Sequence, residues 1–296
     1  MNAAAWLTRV RTFASLVKLS HSVFALPFAV LSLLAATNGR PEIRSLLLVV
    51  AAVVAARTAA MAYNRLADRD LDAKNPRTAS REIPRGAVSP RFAFVSTVVA
   101  GAAFVLICSM LSTACLWLSL PTLAWLLGYS HVKRFSFLCH VWLGAALGLA
   151  PVAAWIAVDP TFSTRLVAPI VLGVGVLAWV AGFDVMYACQ DEAFDRAAGL
   201  HSIPSRFGAA RALTMSRGLH VVAFVGFVGF GVAVPMGVAW FVGTAVAAGL
   251  LVWQHASIRA TDLSRIDMAF FTANGMISLV LLAAGCVDLY VGPSAR

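Results

Sequence analysis

Nine apolar stretches, each long enough to cross a bilayer as a helix, dominate this chain. They fall at residues 19–37, 44–63, 92–111, 113–130, 138–158, 166–188, 218–235, 236–255 and 269–290. A transmembrane helix needs about 20 predominantly apolar residues. In hydrocarbon every backbone N–H and C=O must find a partner within the chain, so such spans are helical. The longest apolar runs, 92–130 and 218–255, divide at Ser112 and Pro235. The expected fold is therefore all-α: a polytopic membrane protein of nine spans, forming one domain over residues 1–296.

Composition excludes the alternatives. Hydrophobic residues make up 60% of the chain and charged residues 12%, against roughly 25% charged in a soluble domain. That leaves too little polar surface to coat a globule in water. Disorder requires low hydrophobicity and high charge, the opposite pattern. The five cysteines, Cys108, Cys115, Cys139, Cys189 and Cys286, are odd in number and mostly lie in apolar runs, which argues against a disulfide framework. The apolar part of the first span starts late, near Val23, and a second span follows within a few residues, so it reads as an uncleaved span.

The net charge of +10 would suggest nucleic acid in a soluble protein. Here it reads as topology, and no nucleic-acid partner is expected. Sorted by loop, 18 Lys and Arg residues fall on the side of the N-terminus and of loops 64–91, 131–137, 189–217 and 256–268, and four fall on the other. Cytoplasmic loops are rich in Lys and Arg, so the N-terminus is expected in the cytoplasm and the C-terminus outside, with the chain in the inner (cytoplasmic) membrane. Ten of the 13 acidic residues sort to the same side. Acidic residues contribute little to orientation, so they call for another explanation.

Seven of the ten form two clusters. Asn64, Asp68 and Asp72 continue the span 44–63; on a helix they would lie at about 0°, 40° and 80°, one face over two turns. A basic loop follows, Lys74-Asn-Pro-Arg77-Thr78-Ala-Ser-Arg81-Glu-Ile-Pro84-Arg85-Gly86. Asp184, Asp191 and Asp195 continue the span 166–188, within about 40° of one another on a helix. They too precede a basic Pro/Gly loop, Arg196 to Gly208. A shift of 123 residues places Asp68 on Asp191 and Asp72 on Asp195, as an internal duplication would. Carboxylates one turn apart repel by a few tenths of a kcal/mol. A solvated helix extension with ordinary i,i+4 charges would explain one such cluster. Two clusters on positive-inside loops fit a metal–diphosphate site better: hard cations such as Mg²⁺ take a few carboxylates plus substrate phosphates, and Arg and Lys bind phosphate oxygens.

Other polar groups stand within or at the ends of spans. Arg57 lies on nearly the face of Asn64; it is either functional or snorkels to the interface. Lys18, Ser20, His21 and Ser22 open the first span, as phosphate ligands or as a helix anchor. Tyr129, Lys133 and Arg134 form an aromatic-basic turn. Asn274 is expected to make a helix–helix hydrogen bond. His140, His220 and His255 show no metal-ligand spacing and receive no role.

The motifs Asn64-x-x-x-Asp68-x-x-x-Asp72 with Arg77-Thr78-x-x-Arg81-x-Ile-Pro84-x-Gly86, and Asp184…Tyr187…Asp191-x-x-x-Asp195 with Gly199, Ser202 and Gly208, resemble those of the UbiA superfamily of intramembrane prenyltransferases. The turn from Tyr129 to Phe135 and the stretch Lys18 to Pro27 are similar too, and the likeness runs from about residue 16 to 290. Within the superfamily the chain resembles the 4-hydroxybenzoate polyprenyltransferase group most, particularly its futalosine-pathway menaquinone branch. One position departs: many members carry Asp after the first Asn, and here it is Arg65.

The resemblance implies a nine-helix bundle capped by cytoplasmic loops and a Mg²⁺-dependent transfer of a polyprenyl group from its diphosphate to a small aromatic acceptor in menaquinone or ubiquinone biosynthesis. It implies Mg²⁺ ligands at Asn64, Asp68, Asp72, Asp184, Asp191 and Asp195, with the five aspartates also catalytic. Arg69, Lys74, Arg77, Arg81, Lys133 and Arg134 would hold the diphosphate. Lys18, His21, Arg57 and Tyr187 are candidates for the acceptor side. Naphthoate, homogentisate, or a haem or chlorophyll precursor are the other acceptors within the superfamily; no obligate protein partner is expected. A CDP-alcohol phosphotransferase would carry both acidic pairs in one contiguous motif, which is absent. A transporter would place polar residues at mid-bilayer and break its helices there.

Overall fold

The computed structural model describes residues 12–17 and 24–292. Its long elements are α1 (Leu26–Ala36), α2 (Ile43–Ala67), α4 (Pro90–Leu111), α5 (Thr113–Val132), α6 (Cys139–Val158), α7 (Val167–Ala188), α10 (Ala209–Ala233), α11 (Val238–Ala256) and α12 (Asn274–Tyr290). Short helices lie between them, among them α3 (Arg69–Lys74), α8 (Glu192–Ala197) and α9 (Ile203–Phe207). The chain is all-helical, as its apolar runs require.

Among the described residues, seven helices are long and apolar enough to cross a membrane: Ile43–Ala67, Pro90–Leu111, Cys139–Val158, Thr164–Ala197, Ala209–Ala233, Val238–Ala256 and Ile266–Tyr290. Each coincides with a span read from the sequence. The expected span 113–130 is a 20-residue helix whose Trp117, Ser119, Pro121 and Trp125 thin its apolarity. Of the expected span 19–37, residues 19–23 lie outside the described residues, and α1 runs for 11 residues. The start of α10 is the largest difference in boundary: the helix begins at Ala209 rather than 218. Arg211 and Arg217 ended the apolar run in the sequence, but a helix does not stop where lipid does.

The chain divides into two compact units. One comprises residues 1–22 and 51–131, the other 23–50 and 132–296. In the first, the basic loop after α3 folds back rather than trailing in solvent: Ile83 and Val88 are buried with Leu16 and Ala93, against Phe13 and Leu66. Ser89 then starts α4, its side chain accepting from Phe92 N at 3.2 Å with Pro90 at the first helical position, where a missing N–H costs nothing.

In the second unit α7 is the most deeply buried span. Two thirds of its apolar window (67%) is covered, against 28–39% for the other six. Up to Asp184 in its last turns it is apolar all round, as a buried helix must be. Small residues let its neighbours approach. A Cβ on Gly148 of α6 would stand 2.5 Å from the Gly173 carbonyl oxygen, and one on Gly226 of α10 would stand 2.6 Å from Gly175 Cα. Such small-residue contacts are how membrane helices pack closely. Trp179 Nε1 donates to Asn274 Oδ1 at 2.9 Å, the interhelical bond expected of that asparagine. Asp288, buried near the end of α12, accepts from Ala239 N at 3.3 Å and Trp240 N at 2.7 Å. It thereby caps α11 from another helix, where unpaired N–H groups and the helix dipole both favour a carboxylate. Replacing Asp288 by Ala removes these bonds and is expected to cost about 2 kcal/mol or more, lowering the thermal midpoint of the detergent-solubilised protein by several degrees. An unchanged midpoint would show that the cap contributes nothing.

Candidate active site

The first acidic block departs from the expected continuous helix. The helix is interrupted at Asp68, which has φ −96° and ψ 2° and stands at the N-cap of α3. The break suits the charges. Asp68, Asp70 and Asp72 are unfavourable inside a helix of this polarity but favourable at the start of a new one, near its positive end. Backbone bonds bridge the break, from Asp68 N to Asn64 O at 2.9 Å and from Asp72 N to Asp68 O at 2.8 Å. The one-turn spacing therefore survives, and Asn64 Nδ2 donates to Asp68 Oδ2 at 3.0 Å. Asn64 and Tyr63 also tie α2 to the end of α5, through Ser130 Oγ at 3.4 Å and His131 Nε2 at 2.8 Å.

Asp68 and Asp72 are buried, at 3% and 4% exposure. Arg81 Nη1 donates to both Asp72 oxygens, at 2.7 and 2.9 Å, and Thr78 Oγ1 donates to the Asp72 carbonyl at 3.2 Å. A candidate ligand and a candidate diphosphate cation thus hold each other. Arg65, where many superfamily members carry Asp, is buried and pairs with buried Glu82, Nε to Oε2 at 3.7 Å. Ser15 Oγ donates to the other Glu82 oxygen. This cation secures the loop. Arg69 is half exposed, donating to the Leu66 carbonyl at 3.4 Å beside Asp70. Lys74 is exposed at the end of α3, and the Arg77 amide is held by Asn75 Oδ1 at 3.0 Å.

The second block is also interrupted where one helix was expected. α7 gives way to a 3₁₀ turn, Cys189–Asp191, before α8. Asp191 has φ −99° and ψ 4° at the N-cap of α8. This matches Asp68 at the 123-residue shift, and the six-residue helices 69–74 and 192–197 coincide under the same shift. The likeness of the two blocks therefore extends from residue type to backbone conformation.

α8 ends on Gly199 at φ +67°, a left-handed conformation that glycine adopts without penalty, with Leu200 N donating to Asp195 O at 2.8 Å. Ser202 caps α9 reciprocally with Ser205 and lies within hydrogen-bonding reach of Asp195, with Lys133 also near that carboxylate. His201 N donates to the Lys133 carbonyl at 2.7 Å, which fixes the turn carrying Lys133 and Arg134 to this loop. Glu192 takes Arg196 at 2.8 Å and caps α10 through Ala209 N at 2.9 Å. Asp184, one face up α7, accepts from His140 Nδ1 at 2.7 Å. Nothing in the sequence pointed to that histidine.

Tyr187 begins an aromatic series in the same unit. It lies 4.6 Å from Phe270, which contacts Phe183 at 5.1 Å and Phe24 at 5.5 Å. Phe270 and Phe271 sit on a π-helical turn, Ala269–Ala273, a distortion frequent at functional sites. Arg57 is half-buried in α2. Lys18 and His21 lie outside the described residues. Among the described residues no three His, Cys, Asp or Glu side chains gather as a closed metal cage. The donor chemistry nonetheless fits a hard divalent cation. Every candidate ligand offers oxygen, and Mg²⁺ is ordinarily held by one or two carboxylates with substrate phosphates completing its shell.

Comparison with known proteins decides the family. Residues 25–276 match the UbiA prenyltransferase family. The chain belongs to it. A 4-hydroxybenzoate octaprenyltransferase of Alkalilimnicola ehrlichii is 31% identical over 292 residues, covering 96% of each chain. The apo structure of a UbiA homologue from Aeropyrum pernix K1 is 34% identical, with a TM-score of 0.82, over 90% of this chain and 98% of that one. A UbiA homologue from Archaeoglobus fulgidus, solved with DMAPP and Mg²⁺, shares the fold at 18% identity, with a TM-score of 0.68 over 95% and 99% of the two chains. This UbiA-family chain is thus a multi-pass membrane protein, and the transporter reading falls away.

Proposed function

We propose that the chain transfers a polyprenyl group from its diphosphate to an aromatic acceptor of the 4-hydroxybenzoate type, at the cytoplasmic face of the inner membrane, in quinone biosynthesis. The observation that carries the reading is the pair of matched acidic breaks at Asp68 and Asp191 in a chain of this family. The full-length likeness to a protein named 4-hydroxybenzoate octaprenyltransferase supports the acceptor class. The segregation of 18 basic residues supports the orientation, with the N-terminus inside and nine spans in all.

Asn64, Asp68 and Asp72 in one block, and Asp184, Asp191 and Asp195 in the other, are the proposed ligands of Mg²⁺ and its diphosphate. When bound, the cation neutralises charge on the leaving pyrophosphate. The chain's own residues do the rest. Arg81 exchanges Asp72 for diphosphate oxygens. Arg69, Lys74, Arg77, Lys133 and Arg134 add charge-assisted bonds, which strengthen as the C–O bond breaks and negative charge collects on the leaving group. The allylic carbon bonds to the acceptor ring, which then loses a proton. Arg57, Lys18 and His21 are the proposed cations for the acceptor's carboxylate, and Tyr187 contributes an aromatic face. The rings of Phe24, Phe183 and Phe270 exclude water that would otherwise quench the allylic cation.

The test is an assay of purified protein with a polyprenyl diphosphate, Mg²⁺ and a panel of acceptors: 4-hydroxybenzoate, 1,4-dihydroxy-2-naphthoate, homogentisate and haem. Pyrophosphate release and a prenylated product with 4-hydroxybenzoate alone are expected. Turnover with another acceptor would reassign the substrate, and turnover with none would contradict the reading.

A further inference from the structure

His140 is the second residue of α6 and is buried, at 3% exposure. Both ring nitrogens are engaged. Nδ1 lies 2.7 Å from Asp184 Oδ2, and Nε2 lies 3.3 Å from the backbone N of Ile203, the first residue of α9. A backbone N–H can only donate, so Nε2 carries a lone pair and Nδ1 carries the hydrogen that goes to Asp184. These partners are 44 and 63 residues away in sequence. The ring therefore joins three segments: the start of α6, the carboxylate on α7 and the loop behind Asp195. Two further bonds brace the same junction, His201 N to the Lys133 carbonyl at 2.7 Å and Cys139 Sγ to the His201 carbonyl at 3.5 Å.

We propose that His140 is a positioning residue for prenyl transfer: it occupies one oxygen of Asp184, fixes that carboxylate's rotamer, and holds it in register with the loop that carries Ser202 beside Asp195. The inference rests on the proposed function of Asp184. The physical logic is that of an outer-shell partner, which orients a ligand it touches and whose loss weakens binding or activity by about 10–100-fold. An imidazole buried at the head of an apolar helix would cost free energy if it were unpaired, and here both nitrogens are paired. Only an Nδ1 donor can serve Asp184, which separates this role from plain space-filling.

The experiment uses the full chain in detergent or nanodiscs, with geranyl diphosphate and Mg²⁺ as probes. Binding is read by calorimetry without acceptor, and kcat and KM are read with 4-hydroxybenzoate. His140→Leu removes both bonds. His140→Asn places an amide N–H near the Nδ1 position, and His140→Gln places one near Nε2 instead. We expect His140→Leu and His140→Gln to weaken Mg²⁺-dependent binding of geranyl diphosphate at least ten-fold and His140→Asn to restore most of it, even though Asn also loses the bond to Ile203. If His140→Leu fails to fold, the Asn–Gln comparison still decides. Wild-type binding in His140→Gln, or Asn no better than Gln, would overturn the inference while leaving the proposed function intact. Wild-type protein that neither binds geranyl diphosphate nor turns over would overturn the function itself.

Discussion

Asp191→Asn and Asp68→Asn should each lower the rate of prenyl transfer by roughly two to three orders of magnitude, in line with the loss of one preorganised electrostatic contact to a transition state, while the protein stays folded. The substitution keeps size and shape, removes the charge and replaces one acceptor oxygen by an amide donor. Asp68 is buried at 3% exposure, its backbone conformation matches that of Asp191, and each aspartate stands at the N-cap of a six-residue helix. Asp70 is the internal control. Its side chain is 79% exposed beside Arg69, so Asp70→Asn should leave rate and thermal midpoint near wild type. Product formation under saturating Mg²⁺, with a thermal midpoint for each variant, checks the set. Full activity in Asp191→Asn would remove that carboxylate from the chemistry.

The second large effect is on folding. Gly148→Leu and Gly226→Leu should leave little folded protein, because even the Cβ atoms would meet backbone, at 2.5 Å from the Gly173 oxygen and 2.6 Å from Gly175 Cα. A flexible side chain can yield to such contact; a helix backbone must move as a body. Overpacking a well-fitted core typically costs about 1–3 kcal/mol, occasionally more, and here it would displace α7, which carries Asp184. Gly249→Ala is the contrasting case. A Cβ there meets nothing within 4 Å, and Ala is the better helix former, so expression and midpoint should hold or rise slightly. Size-exclusion profiles and thermal midpoints of the three variants measure this. A monodisperse Gly226→Leu protein of wild-type stability would contradict the packing.

The spans were legible because lipid leaves few choices: apolar runs of the right length must be helices. Their ends were less legible where polarity changes without a change of backbone. The helix through Ala209–Ala233 carries Arg211 and Arg217 out of the apolar run without breaking. The interruptions at Asp68 and Asp191 left no Pro or Gly to announce them. An i,i+4 carboxylate pattern is the same on a continuous helix and on two helices whose backbone bonds bridge the join. Asp72 and its partner Arg81 are nine positions apart in sequence, and Asp184 and His140 are 44 apart. No local periodicity encodes either contact. Arg65 was visible as a departure from the superfamily pattern, but its partner Glu82, 17 residues on, emerged only from the folded loop.

On the proposed function, departure of pyrophosphate is coupled to prenylation of an aromatic ring under control of a divalent cation. The most direct measurement follows both products at once, with radiolabelled geranyl diphosphate and 4-hydroxybenzoate, in Mg²⁺ and after chelation. Pyrophosphate and prenylated 4-hydroxybenzoate should appear one to one, both should vanish with chelator, and both should return when Mg²⁺ is restored. Product that persists without a divalent cation, or pyrophosphate released with no prenylated acceptor, would contradict the account.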